Sequence, residues 1–280
     1  MIWQKIRKVL DPTGSGQMGV IIPNILRSAL EPAKARVMAK KLYRRWHDQA
    51  GLLTNVQNLR WIEANVQDFS QLAREINPQL WEEAQGFQSR LAERARLILG
   101  EPKVASSGLL TAGGAFYPFL HFVTRHLAPE YIVETGVAAG YSSEAFLDAL
   151  EKNGQGRLFS TDFPLFRGSD PEGSIGVLVE ERLKSLWELH ADGDEAALPR
   201  IVRRTPCIDI FHYDSDKSYY GRAFAVSTIQ PRLHARSLLV MDDIGDNSFF
   251  HDYVQREQPA SFSVFQFLNK YIGVVGSLQG

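Results

Sequence analysis

The stretch Tyr131 to Phe146, YIVETGVAAGYSSEAF, limits what this chain can fold into more than any other. Ile132 and Val133 continue an apolar run that Glu134 closes. Gly136 and Gly140 then frame a short turn, and Ala145, Phe146, Ala149 and Leu150 recur at helical spacing. A buried strand, a glycine turn and a helix in that order predict the opening unit of a parallel α/β sheet. Glycines in such a turn adopt positive φ and let the backbone approach a ligand. Ser142 and Ser143 are placed to cap the helix, whose free N–H groups and dipole favour an anionic group such as a carboxylate. The carboxyl end of this strand borders the crevice where open α/β sheets bind ligands. The spacing E-x-G-x-x-x-G is not the G-x-G-x-x-G of dinucleotide binders, which weighs against a nicotinamide-dependent oxidoreductase.

Short apolar strands and helical segments alternate from Glu130 onward, predicting strands at 131–134, 157–161, 187–190, 208–213 and 237–241. The tail FSVFQFLNKYIGVVGSLQG reads as two further strands joined at Asn269-Lys270, an antiparallel finish. Asp162 closes the second strand, where an acid accepts hydrogen bonds from a ribose diol in such folds. The third strand ends in Asp192-Gly193-Asp194, either acid of which could also cap the helix that follows. The fourth delivers Asp214 in YDSDKSYY, with Lys217 three residues on, and the fifth delivers Asp242 and Asp243. Three carboxylates at neighbouring strand ends repel one another unless a positive group sits between them. Hard oxygen ligands with open positions suit Mg²⁺ or a similar divalent cation. Beside a dication Lys217 becomes easier to deprotonate, as a general base requires.

The glycine turn resembles the first motif of class I S-adenosylmethionine (SAM) dependent methyltransferases, and GYSS is similar to the catechol and caffeoyl-CoA O-methyltransferase branch. D-x-D-K-x-x-Y after strand four and D-D after strand five resemble the metal-dependent O-methyltransferases. Caffeoyl-CoA and catechol enzymes carry the lysine with an Asp-Asn pair; macrocin-type sugar O-methyltransferases carry Asp-Asp, usually with a histidine at the lysine position. This chain mixes the two patterns, over residues 105–280. The resemblance implies a Rossmann-like seven-stranded sheet of order 3-2-1-4-5-7-6 with the last strand antiparallel. It assigns SAM contacts to Glu134, Gly136, Gly140, Tyr141, Ser142, Asp162, Asp192 or Asp194 near the adenine, and Asp214. Asp214, Asp242 and Asp243 become the metal ligands and Lys217 the catalytic base. The implied reaction is methyl transfer to a hydroxyl of a small molecule, a sugar or a phenol. The rivals are a metal-independent SAM methyltransferase and a non-catalytic SAM-fold protein that docks through its N-terminal helices.

Residues 1–104 read as an all-helical extension or cap ahead of the domain at 105–280. Residues 1–46 carry ten Lys or Arg against Asp11 and Glu31, and Met38, Leu42 and Trp46 recur at helical spacing opposite a basic face. Such a face is a solvated surface or a peripheral contact with a membrane or polyanion. Asn77-Pro78 and Gly100 bracket a long helix with Leu80, Ala84, Phe87, Leu91 and Ala95 along one side. Trp3, Trp46, Trp61 and Trp81 all fall in this region, anchoring either its own core or a homodimer interface. A net charge of -1 over 280 residues weighs against nucleic acid as the partner. Cys207, the single cysteine, permits no internal disulfide and reads as inert. No apolar run reaches membrane-spanning length and no signal-peptide pattern opens the chain, so a cytoplasmic location is expected.

Overall fold

A computed structural model describes residues 30–47, 51–100, 114–163 and 172–279, together with Pro23 and Leu26. The chain first forms α1 (Pro32–His47), α2 (Asn55–Asn65), β1 (Val66–Gln67), α3 (Phe69–Ile76), α4 (Pro78–Gly100) and α5 (Tyr117–Leu127). Then come β2 (Tyr131–Thr135), α6 (Tyr141–Asn153), β3 (Arg157–Thr161), β4 (Trp187–His190), α7 (Asp194–Arg204) and β5 (Ile210–Tyr213). The last elements are α8 (Tyr219–Ile229), β6 (Leu238–Met241), α9 (Phe249–Glu257), β7 (Phe262–Phe267) and β8 (Lys270–Val275).

The strands form one sheet in the order β1-β7-β8-β6-β5-β2-β3-β4. All ladders are parallel except those of β8 with β6 and β7. Counted from β2, this is the predicted order with the last strand antiparallel. The difference is an eighth strand. Val66 and Gln67, from the region expected to be wholly helical, pair with Val264 and Phe265. Two residues are too few to carry an alternating pattern, so only the open edge of β7 reveals them. The final hairpin turns at Leu268 and Asn269 rather than at Asn269-Lys270, with Leu268 in the left-handed region at φ 54°.

The helices before the sheet share its core. Asn77 Oδ1 accepts from the Leu80 N–H at 3.0 Å, and Pro78 opens α4 as predicted. Trp81, Ala84, Phe87, Leu91, Ala95 and Leu99 form the buried stripe of α4; Leu80 lies at its margin. Phe69 of α3 packs edge-on against Trp81 at 5.3 Å, Phe119 at 4.8 Å and Phe265 at 5.1 Å. Burying an aromatic ring of this kind contributes about 1.5–3 kcal/mol, so the extension is bound to the sheet by its own hydrophobic residues. Trp61 stacks on Phe262 at 5.8 Å. On the opposite face of the sheet, Phe211, Tyr213, Ile229, Met241, Phe249 and Phe250 make a second core. No helix among the described residues is long and apolar enough to cross a membrane. Trp3, the side chains of Leu42 and Trp46, most of the link at 104–116 and most of the loop at 164–173 lie outside the described residues.

Candidate active site

The backbone ladder runs one residue beyond four strand ends, and that last row holds Gly136 and three of the predicted acids. Asp162 donates its N–H to His190 O, Gly136 to Thr161 O, Asp214 to Thr135 O and Asp242 to Tyr213 O, at 2.8–2.9 Å. Asp162, Gly136, Asp214 and Asp242 therefore stand side by side at the carboxyl edge of four adjacent parallel strands, where open sheets bind ligands.

Gly136 has φ +82°, and a Cβ there would lie 2.3 Å from Asp214 O. The glycine is required by the crossing of two chain segments, not only by approach to a ligand. Gly140 is the N-cap of α6 at φ +99°, and α6 has no side-chain cap. Ser142 and Ser143 thus do not cap the helix, as their positions lie inside it. Ser142 is buried in the first turn, and Ser143 Oγ donates to Glu134 Oε2 at 2.6 Å. Glu144 in the same turn is drawn away by Arg94 at 2.5 Å. The leading N–H groups of α6 are thereby left for an anion. Tyr141 opens α6 with its ring 5.4 Å from that of Tyr117.

Glu134 departs from its expected place on the ligand face. It is fully buried one row behind the edge, where its Oε2 also accepts from Ser160 Oγ at 2.8 Å. It clamps β2 to β3 and α6, so it shapes the turn from beneath. Asp162 Oδ2 accepts from the N–H groups of Val137 at 3.1 Å and Ala138 at 2.7 Å, fixing the turn from its rim. Of the two acids after β4, Asp192 pairs with exposed Arg200 at 2.6 Å, away from the edge. Asp194 faces the site, accepting from Thr161 Oγ1 at 2.5 Å and from Ser215 Oγ.

Asp214, Asp242 and Asp243 bring one carboxylate oxygen each to within 4.8 Å of one another. Asp243 sits in the left-handed region at φ 52°. Buried Arg222 of α8 donates to the carbonyls of Asp242 at 2.9 Å and Asp243 at 2.8 Å. Lys217 Nζ pairs with Asp214 and lies 3.0 Å from Asp243 Oδ2. Lys270 Nζ lies 3.1 Å from Asp242 Oδ2 and 3.6 Å from Asp243 Oδ2. Burial lowers the Lys217 pKa against the pull of Asp243 and Asp242. Burial also acts on Lys270, but there Asp242 and Asp243 prevail and raise it. Asp243 is pushed up by burial yet held below the usual carboxylate range by Lys217 and Lys270. Asn247 ties the two loops together, donating to Lys217 O at 2.8 Å.

The three acids can hold a divalent ion, since their oxygens converge and Asp242 Oδ1 is buried with no hydrogen-bond partner. Lys270 and Arg222 are absent from the sequence-derived site. Lys270 had a usable signal, because the first residue of an antiparallel strand beside strand five returns to the edge where strand five ends. Arg222 gave none, as an arginine four residues into a helix pattern reads as surface. At the opposite edge Cys207, Asp209 and His234 also cluster. Asp209 there accepts from the N–H groups of Glu130 and Tyr131 and pairs with His234 at 3.0 Å, and burial raises the Cys207 thiol, in keeping with an inert cysteine.

Helix α1 lies over the carboxyl edge of the sheet. Lys40 pairs with Glu195 at 2.5 Å, and Arg44 pairs with Glu195 and, at 3.3 Å, with Asp216 while covering the Tyr220 ring at 4.2 Å. At least part of the basic face therefore docks on the protein itself.

Residues 133–244 match the family model for a methyltransferase domain, a span that includes the glycine turn and all three acids of the cluster. Residues 133–244 are thus similar to a methyltransferase domain. The chain superposes on the O-methyltransferase TomG of Streptomyces achromogenes, solved with SAM, at TM-score 0.50 and 16% identity over 67% of this chain and 89% of that one. It superposes on a Klebsiella pneumoniae protein assigned as an O-methyltransferase at TM-score 0.50 and 14% identity, over 68% and 89%. At these identities the likeness establishes the class I methyltransferase fold. No curated protein sequence matches the chain.

Proposed function

We propose that this protein transfers the methyl group of SAM to a hydroxyl of a small molecule, a sugar or a phenol, with a divalent ion such as Mg²⁺ held by Asp214, Asp242 and Asp243. One observation carries the reading: three carboxylates converge within 4.8 Å beside the glycine turn, and one of their buried oxygens has no partner. When bound, SAM supplies an electrophilic sulfonium methyl and the ion supplies Lewis acidity toward the acceptor hydroxyl. The uncapped start of α6 would hold the cofactor carboxylate, and Asp162 and Asp194 would bind its ribose and adenine. Lys217 is the base: it stands against Asp214 and Asp243, and burial lowers its pKa, so it gives up its proton more readily than Lys270 does. Much of the acceleration comes from holding the two reactants in line at near-attack distance.

Calorimetric titration of SAM, with Mg²⁺ and after chelation, tests this, followed by Mg²⁺ as titrant. Micromolar SAM binding and a saturable Mg²⁺ site that disappears in Asp243→Ala are expected. Absence of SAM binding under both conditions refutes the reading. Lys217→Met should keep SAM affinity and lose turnover sharply; an equal loss of both overturns the base assignment.

A second reading, SAM-dependent methylation without a metal, is favoured by one feature. Lys217 and Lys270 already place an ammonium against each of the three carboxylates.

A further inference from the structure

The two lysines of the site differ in origin. Lys217 shares its loop with Asp214, whereas Lys270 opens β8 and reaches Asp242 and Asp243 from the other side. Its backbone is fixed, because Lys270 is in register with Phe267 across the closing hairpin. Its side chain is one-quarter exposed and can swing to solvent without disturbing the ladder.

The cluster carries counter-charges of its own without any metal ion. The three carboxylates meet the ammonium groups of Lys217 and Lys270, the guanidinium of Arg222 binds the backbone carbonyls of Asp242 and Asp243, and the carboxylate of Asp246 adds a further negative charge beside Asp243. Those counter-charges let the acids share one strand edge without mutual repulsion driving them apart. The ammonium of Lys270 reaches Asp242 through Oδ2 alone and leaves buried Oδ1 unpartnered. A lysine brings one charge and three donors, while a divalent ion brings two charges and gathers about six oxygens. Both cannot occupy the gap between Asp242 and Asp243 together.

We infer that Lys270 is a built-in counter-cation that holds Asp242 and Asp243 in the ion-free protein and competes with the divalent ion for them, thereby setting the affinity of the site. The inference rests on the divalent-ion reading above. It also reconciles the two readings: an ammonium occupies the acids until a divalent ion displaces it.

The test is titration of Mn²⁺ alone into the full chain, followed by calorimetry and by the loss of the free-ion paramagnetic resonance signal. Neither readout depends on turnover. Lys270→Met should bind Mn²⁺ about tenfold or more tightly than the unaltered protein, as expected for removing a close, partly desolvated cation from two ligands. Lys270→Arg, which keeps the charge, should stay within about threefold of the unaltered protein. SAM affinity should be unchanged in both. If Lys270→Met melts early, Lys270→Gln carries the same expectation. Unchanged or weaker Mn²⁺ binding in the neutral variants, with binding still abolished by Asp243→Asn, overturns the role of Lys270 and leaves the ion site standing. No Mn²⁺ binding by the unaltered protein or by any Lys270 variant overturns the ion site and this inference together.

Discussion

Gly136→Ala is the substitution whose cost can be worked most directly from the structure. The residue sits at φ +82°, and its new methyl would lie 2.3 Å from Asp214 O and 2.6 Å from Asp214 C. Such atoms rest at roughly 3.5 Å, so the backbone after β5 must retreat by about an ångström. A left-handed alanine costs about 1–2 kcal/mol, and forced displacement of packed atoms adds about 1–3 kcal/mol. The smaller entropy of the unfolded alanine chain returns about 0.4–1 kcal/mol, leaving a net loss of about 2–4 kcal/mol. Gly154→Ala is the internal control. It also has a positive φ, +68°, but a methyl there meets nothing within 4 Å. It should cost only about 1 kcal/mol, the conformational part alone. Urea unfolding of both variants isolates the steric part. Because Asp214 carries that part, Gly136→Ala should also weaken Mn²⁺ binding, and Gly154→Ala should not. Equal destabilisation of the two variants would refute the view that Gly136 is held by the Asp214 backbone.

Arg222→Met strands the carbonyls of buried Asp242 and half-buried Asp243 and should cost about 3 kcal/mol in urea unfolding, with Lys in its place recovering part of the loss. Thr54→Ala removes the capping box at the start of α2, where Thr54 and Gln57 satisfy each other, and should cost about 1 kcal/mol in the same assay. Burial lowers the His121 pKa even though Asp148 accepts from its Nε2 at 2.8 Å, with Glu83 and Lys152 also alongside. The unfolded chain then binds the extra proton first, so this contribution is complete above about pH 6.5 and declines as pH falls through that value, by at most about 1.4 kcal/mol per unit. His121→Gln should flatten the slope of urea midpoint against pH between 7 and 5; an unaltered slope refutes the assignment.

The parts of the fold legible in the sequence were those written as long or periodic patterns. The helix from Pro78 to Gly100 announced both ends, through Asn77-Pro78 and Gly100, and its face through apolar residues at helical spacing. The strands at 157–161 and 187–190 coincide with short runs bounded by polar or turn residues. What escaped was decided by tertiary pairing. Val66 and Gln67 become a strand because β7 offers them an edge, and Ser143 turns toward Glu134 because the two meet only after β2 and α6 pack. At the site the order of acids along the chain marked Asp214, Asp242 and Asp243, since each follows an apolar strand. Lys270 and Arg222 reach the same point from a hairpin and from a helix, and no local pattern carries that information.

The basic N-terminal segment shows how a charge pattern acquires meaning only from its partners. Read alone, its excess of Lys and Arg is equally suited to water, lipid or a polyanion. In the folded chain Lys34 meets Glu172, Lys40 meets Glu195, and Arg44 meets Glu195 and Asp216. Those acids are not scattered. Glu195 follows Asp194 in the first turn of α7, and Asp216 lies between Asp214 and Lys217 on the loop after β5. Such paired groups on a partly buried surface contribute little each, about 1 kcal/mol or less, so their effect is one of placement more than stability. They fix α1 to the two segments that carry Asp194 and Asp214, and Val37 of the same helix and Phe163 both come against Gly193. Docking of the extension and the shape of the cofactor edge are thus one arrangement, which is why a helix far upstream in sequence belongs to the site in space.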